Sequence, residues 1–244
     1  MISRDLCVMT EDKQKVYFDH HQSGHDKIVI IAHGFFNSKN AVLLKTLAGE
    51  LNKLYDVIVM DFRGHGKSSG MFLWTSKEYL DLQAVVDFAK DKYSDVGVIG
   101  FSLGAATSII TASHTKKIKS LIAVSAPMEF GKIEYQFWDL DVENDLLFSL
   151  IGKGRIGKGV RPGPFWLKKQ KPIERVAHVA APTLFIHGEK DWLIYPEHSR
   201  KLYEKAKGQR KIAVIKNGPH AEYLIRKNKE ETISLIIGWF HQTL

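Results

Sequence analysis

The sequence predicts an α/β protein built on a mostly parallel β-sheet with helices on both faces. Two observations carry that expectation. Strand-like apolar runs alternate with segments of helical period, which is the pattern of strands joined by crossover helices. The chain has 244 residues, 44% of them hydrophobic, enough to bury one large core, so one domain over residues 1–244 is expected.

In chain order, Val16 to Phe18 precedes the polar turn HHQSGHD and reads as part of an antiparallel hairpin leading into the sheet. Strands are predicted at Lys27 to Ala32, Asp56 to Asp61, Val96 to Gly100, Ser120 to Ser125, Thr183 to His187 and Lys211 to Ile215. Helices are predicted at Asn40 to Leu54, Ser76 to Lys92, Leu103 to Ser113, Glu197 to Lys207 and Lys229 to His241. There is no internal repeat and no low-complexity tract. One interval breaks the rhythm: no strand candidate lies between Met128 and Ala181, far more chain than a crossover needs. Its first part is acidic and aromatic, with Glu129, Glu134, Trp138 and Asp141, and its second is basic with glycine and proline. A lid insertion over a site is expected at about residues 128–181, the alternative being helix and loop that cover the sheet.

Composition excludes several classes. No stretch approaches the roughly 18 to 20 apolar residues of a membrane-spanning helix, and the start MISRDLCVMT lacks a signal-peptide layout. A soluble, cytoplasmic protein is expected. Formal charge is +8, but the lysines are dispersed, with no aromatic-interleaved run of the kind that stacks bases. No nucleic-acid partner is therefore predicted. Cys7, the single cysteine, cannot form an internal disulfide and is read as a small buried residue on an early strand. No zinc or calcium ligand pattern is present, so no metal is expected.

The chemistry begins at Gly100-Phe101-Ser102-Leu103-Gly104, which follows the apolar run VGVI and opens the helix ATSIITA. A G-x-S-x-G segment between strand and helix is a nucleophile elbow, in which flanking glycines let the two backbones approach; the plainer reading of Ser102 is a helix cap. Serine needs a base, and His220 stands in a loop directly after the last predicted strand, at the sheet edge where the elbow also lies. His20, His21 and His25 are read as turn residues, and His114, His198 and His241 as exposed positions. The base needs an acid. Asp191, just beyond the Thr183 to His187 strand, fills that role, with Glu189 as a nearby competitor. An oxyanion hole needs two backbone N–H donors. Leu103 supplies one and Phe35, in His33-Gly34-Phe35-Phe36-Asn37, the other, while His33 is read as orienting or structural. Serine acyl transfer requires no cofactor.

With the order Ser102, Asp191, His220, the chain resembles the α/β-hydrolase superfamily over nearly its whole length. Asp61-Phe62-Arg63-Gly64-His65-Gly66-Lys67-Ser68 resembles the D-x-R-G-x-G-x-S loop of many of its esterases and lipases. The resemblance implies an eight-stranded sheet, a lid after the sixth strand, and a structural rather than catalytic role for Asp61, Arg63 and His65. The HGF segment is similar to the subgroup holding cinnamoyl and feruloyl esterases, monoacylglycerol-lipase-like enzymes and serine aminopeptidases. Ser102 at the elbow argues against dehalogenase and epoxide-hydrolase chemistry, which uses aspartate there. The expected activity is a serine esterase acting on a small-molecule ester. A peptidase or amidase, a thioesterase or acyltransferase, and a non-catalytic binding module are the alternatives. Acyl and alcohol specificity and oligomeric state are not legible.

Overall fold

The computed structural model describes residues 1–130 and 160–244. Eight strands, β1 (Ile2–Met9), β2 (Lys15–His21), β3 (Lys27–Ala32), β4 (Asp56–Met60), β5 (Asp95–Phe101), β6 (Ser120–Val124), β7 (Thr183–Gly188) and β8 (Arg210–Ile215), form one sheet. Their order is β1-β2-β4-β3-β5-β6-β7-β8. From β4 to β8 every neighbouring pair is parallel, and the β1–β2 ribbon joins antiparallel through β2 and β4. This is the α/β-hydrolase fold.

The register of side chains shows why these segments became strands. Successive residues of a strand point to opposite faces, and in β3 Ile28 and Ile30 enter one core cluster while Val29 and Ile31 enter the other. Both faces are therefore apolar and both need cover. Helices α1 (Val42–Leu51) and α5 (Lys229–Thr243) supply it on one side, through Leu44, Leu47, Leu51, Ile236 and Phe240. Helices α2 (Glu78–Lys90), α3 (Leu103–His114) and α4 (Pro196–Lys205) supply it on the other, through Leu82, Val85, Ala105, Ile109 and Leu202. Each fully buried side chain of this kind contributes about 1.5–3 kcal/mol by leaving water.

The hairpin differs from expectation. Its turn lies between Met9 and Lys15, closed by Thr10 N–H to the Gln14 carbonyl at 2.9 Å, and not at HHQSGHD. His20 and His21 lie on β2, where His20 is buried with Nε2 2.7 Å from the Tyr93 hydroxyl. The polar look of this segment hid a strand, because a hydroxyl partner pays the cost of burying the imidazole. Strand β1 carried no strong apolar signal. It is an edge strand with alternating exposed and half-buried residues and a register shift between Ser3 and Leu6. Cys7, read as buried, is exposed on that edge. His198, read as exposed, is buried and accepts the Met128 N–H at 3.1 Å.

The loop after β4 is tied down by charge. Asp61 accepts N–H bonds from Lys39 (2.7 Å) and Lys67 (3.0 Å), and the buried Arg63 guanidinium pairs with Asp81 and Asp12. Against this loop lies the described end of the predicted lid interval: Val160 bridges His65 and Pro162 bridges Phe72. Phe165 and Trp166 are exposed. Most of the predicted lid, with Tyr135, Phe137, Trp138 and Phe148, lies outside the described residues. Among the described residues, no helix is long and apolar enough to cross a membrane.

Candidate active site

Strand β5 ends at Phe101, α3 begins at Leu103, and the single residue between them, Ser102, has φ 51° and ψ −113°. A non-glycine residue there costs on the order of 1–3 kcal/mol and is held only by its surroundings. Two bonds hold this one: Ser102 N–H to the Val124 carbonyl (2.8 Å) and Ala106 N–H to the Ser102 carbonyl (3.1 Å). The flanking glycines are required by contact. A Cβ on Gly100 would sit 2.4 Å from the Gly104 carbonyl oxygen, and one on Gly104 would sit 2.2 Å from that of Ala32.

Two further loops leave the same edge of the sheet. After β7 comes Asp191, 1% exposed; after β8 comes His220, 6% exposed. Glu189 N–H bonds the Ile215 carbonyl and Lys190 N–H the Gly218 carbonyl, each at 2.9 Å, so the loops run side by side. His220 Nδ1 stands 2.9 Å from Asp191 Oδ1 and 2.8 Å from Oδ2. A carboxylate only accepts, so this contact puts the ring proton on Nδ1 and leaves Nε2 with a lone pair. Asp191 Oδ1 also accepts the Leu193 (3.0 Å) and Ile194 (2.9 Å) N–H groups. Burial pushes the Asp191 carboxyl up, but the neighbouring His220 and the hydrogen bonds from His187 and His220 hold it well below the usual carboxylate range. Glu189, the competing acid, points elsewhere and accepts the Asn217 N–H at 2.9 Å.

The loop after β3 closes the third side. His33 is buried, with Nε2 accepting the Phe62 N–H (3.0 Å) and Nδ1 2.7 Å from the Gly34 carbonyl. Both ring nitrogens are thus used within the scaffold. Gly34 lies against the elbow, since a Cβ there would meet Ser102 Cβ at 3.4 Å. Leu103 is the first helical residue of α3, so its N–H has no intrahelical acceptor.

A cavity of about 300 Å³ gathers these parts. Phe35, Ser102, Leu103 and His220 line it, together with Phe36, Trp74, Phe130, Trp192 and Glu222. Asp191 sits behind His220. Phe36 (φ 60°) and Trp74 (φ 58°), like Ser102, have left-handed backbone, so strain concentrates around this cleft.

Several residues around the site carried no sequence signal. Asn37 Nδ2 donates to Glu222 Oε1 at 2.7 Å. Ser125 Oγ accepts the Ala221 N–H at 3.0 Å, holding the residue after His220 to the end of β6. His187 is a second imidazole on Asp191, with Nε2 3.1 Å from Oδ2.

A family model described as alpha/beta hydrolase fold matches residues 27–144. The chain is similar to the esterase Pf2001 of Pyrococcus furiosus, at 27% identity and a TM-score of 0.76, covering 98% of this chain and 92% of that one. It is also similar to the uncharacterized protein YqkD of Bacillus subtilis, at 27% identity over 83% of this chain and 68% of that one. Est1E of Butyrivibrio proteoclasticus, solved with ferulic acid bound, shares the fold at 21% identity and a TM-score of 0.70, covering 97% and 99% of the two chains. The family match, over a little under half of the chain, and the structural likenesses agree with the α/β-hydrolase fold.

Proposed function

We propose that the chain is a serine hydrolase that cleaves carboxylic esters of small to medium size through an acyl-enzyme, with Ser102 as nucleophile, His220 as general base and Asp191 as the acid that orients it. The observation that carries this reading is the buried Asp191–His220 pair, 2.8 Å apart, behind a cleft that Ser102 also lines from a strained elbow.

His220 Nε2 takes the Ser102 proton as Oγ attacks the carbonyl carbon. Asp191 stabilises the imidazolium, and the Phe35 and Leu103 N–H groups receive the oxyanion. Protonated His220 then gives its proton to the leaving alcohol. Water, deprotonated in turn by His220, releases the acid and restores Ser102. A positioned general base contributes about 10²–10⁴-fold, and each oxyanion donor about 10²–10³-fold. The aromatic cleft wall suits an apolar acyl or alcohol group. Similarity to the Pyrococcus esterase supports ester chemistry, and the HGF loop supports the esterase, monoacylglycerol-lipase and aminopeptidase subgroup. We read the protein as a cytoplasmic enzyme of small-molecule esters that draws on no cofactor.

Hydrolysis of p-nitrophenyl acetate and butyrate by the wild type, lost by a factor of 10³ or more in Ser102→Ala, is the expected result. Equal rates for the two proteins would overturn the assignment. A second reading, hydrolysis of aminoacyl amides, draws on the acidic first half of the predicted lid, with Glu134, Asp139, Asp141, Glu143 and Asp145, whose charge suits a substrate ammonium. Preference for aminoacyl-p-nitroanilides over esters would select it.

A further inference from the structure

His187 is the penultimate residue of β7 and is wholly buried. Its Nε2 lies 2.8 Å from the Ile194 carbonyl and 3.1 Å from Asp191 Oδ2. Its Nδ1 lies 2.7 Å from Ser199 Oγ, on α4 and also buried. Two acceptors at one ring nitrogen place the proton on Nε2, and Nδ1 then accepts the Ser199 hydroxyl. One N–H thus serves both the carboxylate and the carbonyl that ends the Asp191 turn. We propose that His187 is a positioning residue for hydrolysis, the outer member of a chain Ser102–His220–Asp191–His187, which fixes the carboxylate through a second imidazole N–H.

The carboxylate's two oxygens are held differently. Oδ1 accepts two N–H groups of its own loop, from Leu193 and Ile194. His220 Nδ1 lies against both oxygens, 2.9 Å from Oδ1 and 2.8 Å from Oδ2, and Oδ2 also meets His187. Without His187, Oδ2 can swing out of the imidazole plane that His220 needs, and its charge is no longer divided between two donors. The base is then less well aimed. Around His220 stand Asp191, Ser102, Glu222 and, at 6.3 Å between rings, Trp192. Around His187 stand Asp191, Ser199 and the Ile194 carbonyl. Of these groups, Asp191 is the one that both rings share.

The inference rests on the ester-hydrolase reading, but its first test needs no substrate. In protein labelled with ¹⁵N-histidine, long-range ¹H–¹⁵N correlation is expected to show wild-type His187 as the Nε2–H tautomer. An Nδ1–H tautomer would turn a lone pair toward Asp191 and overturn the proposal. The second test compares His187→Leu with His187→Gln, whose amide can place an N–H near the Nε2 position. His187→Leu is expected to lower kcat about tenfold to a hundredfold, the weight of one hydrogen bond to a charged group, with little change in KM. His187→Gln should restore most of kcat. Equal kcat for wild type and folded His187→Leu, a loss confined to KM, or equal defects in Leu and Gln would overturn the role, and if the Leu variant does not fold the tautomer decides.

Discussion

Asn37 and Glu222, 185 positions apart, meet in a buried hydrogen bond of 2.7 Å that joins the loop after β3 to the loop after β8. The first loop carries Phe35 and the second His220, so one side-chain pair sets the spacing between the proposed oxyanion donor and the proposed base. Asn37→Ala removes a donor from a buried carboxylate, which costs about 1.5–3 kcal/mol. A lower melting temperature and a fall in kcat of roughly tenfold are expected. Glu222→Gln keeps an acceptor oxygen and should do less harm in both thermal unfolding and steady-state kinetics.

Close packing of the acid and base loops depends on Gly188. A Cβ there would stand 2.2 Å from the Pro219 carbonyl oxygen and 2.3 Å from that of Gly218. Gly188→Ala should therefore cost about 1–3 kcal/mol by overpacking and reduce kcat by shifting the residue just before His220. Gly49, in α1, has open space where its Cβ would be. Gly49→Ala should stabilise by about 0.5–1 kcal/mol. Denaturant unfolding of the two variants checks the contrast.

Asp191 and Glu189 are two residues apart, yet their surroundings separate their roles. Asp191→Asn offers the wrong group to His220 Nδ1 and should lower kcat by about 10³–10⁴-fold, the size such a change has in a serine protease triad. Glu189→Gln keeps an acceptor oxygen for the Asn217 N–H and should keep kcat within about twofold, as surface changes do. Comparable losses in both variants would reverse the assignment.

Stability at mildly acid pH should depend on His65. Burial, with His33 beside it, pushes this imidazole down to about 3 from the ordinary 6.5. Below pH 6.5 the unfolded chain takes a proton that the folded chain refuses until about pH 3, so stability falls as pH drops through that window. At pH 5 the loss from this residue is about 2 kcal/mol. Asp12, held by Arg63 at about 2, adds its own loss only below about pH 4. Melting temperatures of wild type and His65→Gln from pH 7.5 to 4.5 should converge as pH falls. Parallel curves would refute the claim.

The parallel half of the fold was legible because doubly buried strands are apolar without interruption. The segment Lys27 to Ala32 coincides with β3, and the other five predicted strands match within a residue or so at each end. The edge was not: β1 (ISRDLCVM) mixes polar and apolar residues without a clear run, and the polar His20–His21 end of β2 is held by pairing and by a tyrosine hydroxyl. For the site, Ser102, Asp191 and His220 each stood at a recognisable strand end. Of the residues that hold them, Asn37, Ser125 and Glu222 act through contacts between chain segments far apart in sequence, whereas His187 stands only four residues before Asp191 and read as an ordinary strand residue. No local pattern encodes such a pairing.

Ser102 Oγ, as proposed, is an activated nucleophile. Treatment of the folded protein with a fluorophosphonate probe, followed by peptide mass spectrometry, reads that reactivity without a substrate. One phosphonyl adduct on the Ser102 peptide is expected, absent from Ser102→Ala and much slower to form in His220→Ala. A folded wild type that takes up no probe, or labelling that persists unchanged in Ser102→Ala, would contradict it.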